Sequence, residues 1–150
     1  MHAHDIEEWG WATNAELAPP DRTQLPIPKA ELLSQLAAID RKLKARTKPT
    51  PLEKLVVLQY LNRVWRRYLT PQQISVAFYV LDRSIGWGNS IMLASSANVL
   101  HGNAEYSGVG MPERTYFRTL TELERIGLLY RKSRRDRTVL GLHLDWQPWS

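Results

Sequence analysis

Met111 to Leu129 reads MPERTYFRTLTELERIGLL, and it leaves the chain few choices: an amphipathic helix, a stop, and the start of a strand. Pro112 suits a first helical turn, Glu113 is favourable at the positive end of the helix, and Gly127 is placed to end it before the apolar run 128–130. Tyr116, Leu120 and Leu123 follow one another at steps of four and three and are expected to face a core, with Thr119 and Ile126 at its margin. Arg114, Phe117, Arg118 and Thr121 then share the outward face, near the helix start that Glu113 occupies. Arginine can bond guanine edges or phosphates, and an aromatic ring can touch thymine methyls. Glu113 can either accept from cytosine N4 or repel phosphate.

After Gly127 the pattern changes period. Leu128 and Tyr130 precede a polar stretch, and Leu140, Leu142, Leu144 and Trp146 follow it at two-residue spacing, which predicts a β-hairpin. Between them lie Arg131, Lys132, Arg134, Arg135 and Arg137 against the single acid Asp136. Five bases at a hairpin tip repel one another unless anions balance them, so phosphate contact is the expected use.

Upstream, Leu32, Leu36, Ile39 and Leu43 give a helix from Lys29 one apolar stripe, and its basic end (Arg41, Lys42, Lys44, Arg46, Lys48) suits the helix dipole as well as it would suit DNA. Pro51 to about Tyr68 predicts a second helix with more than one apolar face, which implies either a deep hairpin with residues 29–46 or a self-association surface. Thr70-Pro71 starts a third helix, whose stripe Ile74, Ala77, Phe78, Leu81 and Ile85 runs to the stop Gly86-Trp87-Gly88. Ile91 to Leu93 can supply a short strand, and residues 94–101 a short helix capped by Ser95 or Ser96. The loop Gly102 to Gly110 is longer than the minimal turn between two helices.

Charge is unevenly placed. Residues 1–28 hold five acids and one base among four prolines, an acidic arm that also carries Trp9 and Trp11, a pair suited to docking on the protein's own body or on a protein partner. The remaining residues hold 19 bases and 10 acids, a net charge of +9, and this suits a polyanionic partner. His2 and His4 on a fraying terminus make a poor metal site without further ligands. The chain has no cysteine, which excludes disulfides, thiolate metal sites and a cysteine nucleophile. No apolar run approaches a membrane span and nothing resembles a signal peptide, so the protein is expected to be soluble and cytoplasmic, and nucleoid-associated if it binds bacterial DNA.

Arg114-Thr115 through Arg118, Leu120, Leu123-Glu124 and Gly127-Leu128, followed at once by the basic hairpin, resembles the winged helix-turn-helix proteins, across Thr70 to Trp146. With the Thr-Pro start and the Ile-Gly-Trp-Gly end at 85–88, the stretch is similar to winged helices of phage and plasmid replication proteins and of mobile-element regulators. The resemblance implies groove contacts from Arg114, Phe117 and Arg118, and wing contacts from Arg131, Lys132, Arg134, Arg135 and Arg137. The long 102–110 loop and the Pro112-Glu113 pair depart from the family pattern.

The expected protein is mainly α with a small β-wing (α+β): an arm over 1–28, a two-helix hairpin over 29–68 serving as a homodimer surface, and a winged-helix domain over 69–150. Its expected partner is double-stranded DNA, and its expected role is transcriptional regulation. Replication initiation or an accessory role for a plasmid or phage is the alternative within the same class, and a protein-interaction module the alternative outside it. No phosphate-cradling glycine loop, paired histidine motif or cofactor signature is present, and His101 and His143 stand alone, so neither catalysis nor a cofactor nor a metal is expected.

Overall fold

The thirteen residues from Pro51 and the thirteen from Pro71 fold almost as copies of each other. Helix α2 (Pro51–Arg63) and helix α3 (Pro71–Arg83) each begin with proline behind a threonine N-cap, Thr50 and Thr70. Each threonine accepts from the backbone N–H three residues on, at 3.2 Å, while Glu53 or Gln73 reaches back to the cap N–H at 2.9 Å. These reciprocal bonds satisfy donors that a helix start otherwise leaves open. Each helix then tightens into a 3-10 turn, Trp65–Tyr68 and Ile85–Trp87. Val56, Val57, Tyr60, Leu61 and Trp65 are buried in the first unit, and Val76, Ala77, Val80, Leu81 and Ile85 in the second, at matching places. Replacing Thr70 by Ala should lower unfolding stability by about 0.5–2 kcal/mol in denaturant titration. An unchanged midpoint would show that the cap contributes nothing.

These elements belong to a computed structural model that describes residues 28–149. The expectations for the acidic arm, for Trp9 and Trp11 and for His2 and His4 lie outside the described residues. Helix α1 (Lys29–Lys44) precedes α2. After α3 come strand β1 (Ile91–Ala94), helix α4 (Ser96–His101), helix α5 (Glu113–Arg125) and strands β2 (Leu129–Arg134) and β3 (Arg137–Leu142). The described chain is thus mainly helical with a small antiparallel sheet, an α+β architecture. The strand order is β1-β3-β2, with Leu93 opposite Val139 on one side and Lys132 opposite Val139 on the other.

Several details differ from the sequence pattern. The helix expected to reach Tyr68 is α-helical only to Arg63. In α3, Phe78 is 46% exposed while Val76 and Val80 are buried, so the inward stripe is turned from the one expected because α5 and the sheet cover the other side. The hairpin does not keep a strict two-residue alternation: Val139, Leu140 and Gly141 are all buried, because β3 is the middle strand. Gly141 is required there, since a Cβ would sit 2.9 Å from the Ser90 carbonyl oxygen. Leu144 and Trp146 lie beyond the strand, and Trp146 instead donates from Nε1 to the Ile126 carbonyl at 2.9 Å and sets its ring edge-on to Trp65.

Helix α1 buries Leu32, Leu36, Ile39 and Leu43, the stripe expected of it. It is tied to α2 by Lys42 Nζ to Glu53 Oε1 at 2.6 Å. That bond, with the Thr50 N–H, holds the Glu53 carboxyl below the usual carboxylate range. Asp40, Leu43 and Lys44 of α1 also share a cleft with Tyr130 and residues 141–145. The described residues from Leu32 onward form one compact unit.

Candidate nucleic-acid interface

Helix α5 owes its position to three side chains. Tyr116, Leu120 and Leu123 are buried against the unit, and burial pushes the Tyr116 hydroxyl up to about 12, so it stays neutral across the physiological range. Thr119 is fully buried, more than the marginal place expected of it, and its hydroxyl donates to the Thr115 carbonyl at 2.7 Å. That bond removes the cost of burying an oxygen in an apolar setting. Ile126, expected at the core margin, is 42% exposed because α5 has ended and the chain turns there through Gly127 at φ +89°.

The opposite face is open. Glu113, Arg114, Phe117, Arg118 and Thr121 are all exposed, and Arg125 extends the row, a residue that helical spacing from Arg114 and Arg118 could have marked. Phe117 lies tilted against Tyr116, with ring centres 5.3 Å apart. Thr121 donates to the Phe117 carbonyl at 3.0 Å, which leaves its oxygen as an acceptor. The helix begins at Pro112 without a side-chain cap.

The loop that carries the chain from α4 to α5 is closely built. Asn103 accepts from the N–H groups of Glu105 and Tyr106, and Val109 N–H bonds back to the Val99 carbonyl at 2.8 Å. Gly102 and Gly108 approach so nearly that a Cβ on Gly102 would lie 2.6 Å from the Gly108 nitrogen, and one on Gly108 would lie 2.4 Å from the Leu100 oxygen. Glycine is what permits this crossing. The result is a fixed connection between the two helices in spite of its length.

The basic residues of the hairpin fall into distinct places. Lys132, Arg134, Arg135 and Arg137 are exposed, whereas Arg131 turns back and bonds Glu124 of α5 at 3.1 Å. Arg131 therefore braces the hairpin against the helix, a role that spacing alone did not distinguish from the other four. Most of the cluster lies in β2 and β3 themselves, and only Arg135 and Asp136 form the turn. Arg134 and Arg137 stand directly opposite each other across the strand pair, and Arg135 has a left-handed φ of +52°. Like charges directly opposite in a sheet destabilise it, and a left-handed non-glycine residue adds strain.

His101 and His143 are exposed and far apart in the chain, and His143 sits edge-on to Tyr130. Among the described residues no group of three His, Cys, Asp or Glu side chains comes together to hold a metal. Among those same residues no helix is long and apolar enough to cross a membrane. No known protein family, curated protein or solved structure matches the chain.

Proposed function

We propose that this chain is a winged helix-turn-helix protein that binds duplex DNA sequence-specifically, with α5 as the recognition helix in the major groove and the β2–β3 hairpin as a wing on the phosphate backbone. The observation that carries the reading is the pairing of two basic surfaces in one unit. The exposed row Arg114, Phe117, Arg118 lies on a helix bonded through Glu124 and Arg131 to a hairpin that presents Lys132, Arg134, Arg135 and Arg137. The order α3, β1, α4, α5, β2, β3, with β1 pairing β3, agrees with this reading. The opposed Arg134 and Arg137 repel each other in the free protein, and a polyanion relieves that repulsion.

The arginines of α5 read base edges, Phe117 touches a thymine methyl, and the wing cations fix register without reading sequence. Glu113 at the helix start selects a cytosine N4 donor where it meets a base and is repelled where it meets a phosphate. Such a protein regulates transcription by occupancy alone, without catalysis or cofactor, in the cytoplasm. A homodimer formed through residues 29–68 would set two recognition helices on half-sites about 34–36 Å apart or a multiple of it. The exposed Leu33, Leu52 and Leu55 of α1 and α2 favour that pairing.

Binding of mixed-sequence genomic fragments across a salt series tests the proposal. Selective enrichment of particular fragments is expected. Neutralising Lys132, Arg134, Arg135 and Arg137 together should flatten the plot of log affinity against log salt by about 0.9 for each cation that meets a phosphate. A slope equal to the wild type's would remove the wing from the interface. No binding by the folded protein at low salt would remove the function.

A further inference from the structure

A second surface of the same unit has nucleic-acid chemistry and is lined by no residue of α5. Among the described residues strand β1 is an edge strand, paired only with β3. Along it runs a groove of about 710 Å³, walled by the end of α1 with its following turn and by residues 87–93. Arg46, Lys48 and Arg83 line it, and among the described residues no carboxylate does. A groove of this size is within the range of small-molecule and short-segment sites. Three cations side by side favour an anionic ligand.

These groups are held in place. Arg83 donates to the Tyr79 hydroxyl at 3.2 Å and lies 4.5 Å from the centre of the Tyr106 ring. The stem of Lys48 packs over Gly88, 3.4 Å from where a Cβ would stand, and the residue lines the groove. Arg46 occupies the left-handed position that ends α1, at φ +59°, with Thr47 N–H bonded to the Lys42 carbonyl at 2.8 Å. Glycine is the residue that position prefers. An arginine here keeps a cation at the groove against the backbone preference.

The rim supplies an aromatic platform. Trp87 is 63% exposed, and its Nε1 donates to the Tyr106 hydroxyl, which orients an indole that also borders a second cleft with Asp82 and Glu105. Asn89, Ser90 and Thr47 line the same groove with amide and hydroxyl groups. Cations for phosphates, an oriented ring for stacking and neutral polar groups for base edges are together the chemistry that holds unpaired nucleotides. A duplex keeps its bases stacked inside and offers the indole no face.

We propose that this groove is a binding site for single-stranded nucleic acid, separate from the duplex-binding face. The test uses the full chain and a labelled oligothymidylate of about 12 nucleotides, within the usual span of roughly 4–16 for such sites. Trp87→Ala should weaken binding about 5-fold or more. Arg46→Gly combined with Lys48→Ala should lower the salt slope by about 0.7 for each phosphate left without its cation, or roughly 1.4 in all. Arg46→Gly relaxes its backbone position and Lys48 is exposed, so this pair keeps the test valid if Trp87→Ala melts early. Arg114→Ala/Arg118→Ala should leave oligothymidylate binding unchanged.

No oligothymidylate binding at low salt overturns the proposal, as does binding that the groove variants do not weaken. Loss of that binding with the α5 pair would place the strand on the duplex face instead. Equal competition by a glutamate-rich peptide would make the groove an acidic-peptide site. Because the α5 variants address the duplex reading and the groove variants this one, either can fail alone.

Discussion

Converting Arg114 and Arg118 together to alanine is expected to abolish selective duplex binding while leaving the fold intact. Each good bidentate arginine bond to a base discriminates by about 1–3 kcal/mol, so losing both should reduce affinity for the preferred site at least about 30-fold. Both side chains are exposed and the core of α5 is built from Tyr116, Thr119, Leu120 and Leu123, so the melting temperature should stay near the wild type's. The comparison with the wing variants carries the mechanism. Loss of site preference with the α5 pair, against a uniform weakening across sequences with the wing, is the pattern of base reading by one element and backbone binding by the other. A uniform loss with both sets of variants would make α5 another phosphate-binding surface and remove sequence specificity from the proposal.

The largest effect on stability is expected at Trp65. It is fully buried, with Tyr60 edge-on at 5.4 Å and Trp146 at 5.7 Å between ring centres. Trp65→Ala should cost about 3–5 kcal/mol through the apolar burial it forfeits and the cavity left behind. At roughly 2–4 °C per kcal/mol for a protein of this size, thermal unfolding should begin on the order of 10 °C lower. Trp146 links this cluster to the end of α5 through its bond to the Ile126 carbonyl, so the same change should also loosen α5 and raise amide exchange around 123–128. Trp65→Phe should be far milder. The indole Nε1 is buried with no hydrogen-bond partner among the described residues, and removing that N–H offsets part of the lost packing. A loss under about 1 kcal/mol for Trp65→Ala would mean that neighbouring rings collapse into the space.

The candidate site is partly legible in the sequence because much of it is local. Arg114, Phe117 and Arg118 can be placed outward from the spacing of Tyr116, Leu120 and Leu123 alone, and all three are exposed in the structure. Arg131 cannot be told from its neighbours, since its place depends on Glu124, which meets it only once β2 lies against α5. The β1 groove is hidden for the same reason. Arg46 and Lys48 read as a basic helix end that suits the helix dipole as well as DNA, and Trp87 as part of a glycine stop. Nothing in those separate segments indicates that Arg83 and residues 87–93 come to face them. The near-copy of α2 in α3 has a visible signal, the two Thr-Pro starts, but Tyr60 against Val80 and Trp65 against Ile85 disguise it.

By itself the sequence determined where helices begin, which stripes of α1 and α5 are apolar, and where the basic hairpin falls. Caps, turns and helical periods are properties of a few consecutive residues, whose backbone donors must be satisfied whatever surrounds them. Tertiary structure decided which strand is central, so that Val139 and Gly141 are buried beside Leu140. It also turned Phe78 outward, buried Thr119 and gave Arg131 to Glu124. Those outcomes depend on which distant surface covers each face, and burial energy is decided by the neighbour that arrives, not by the pattern that awaits it.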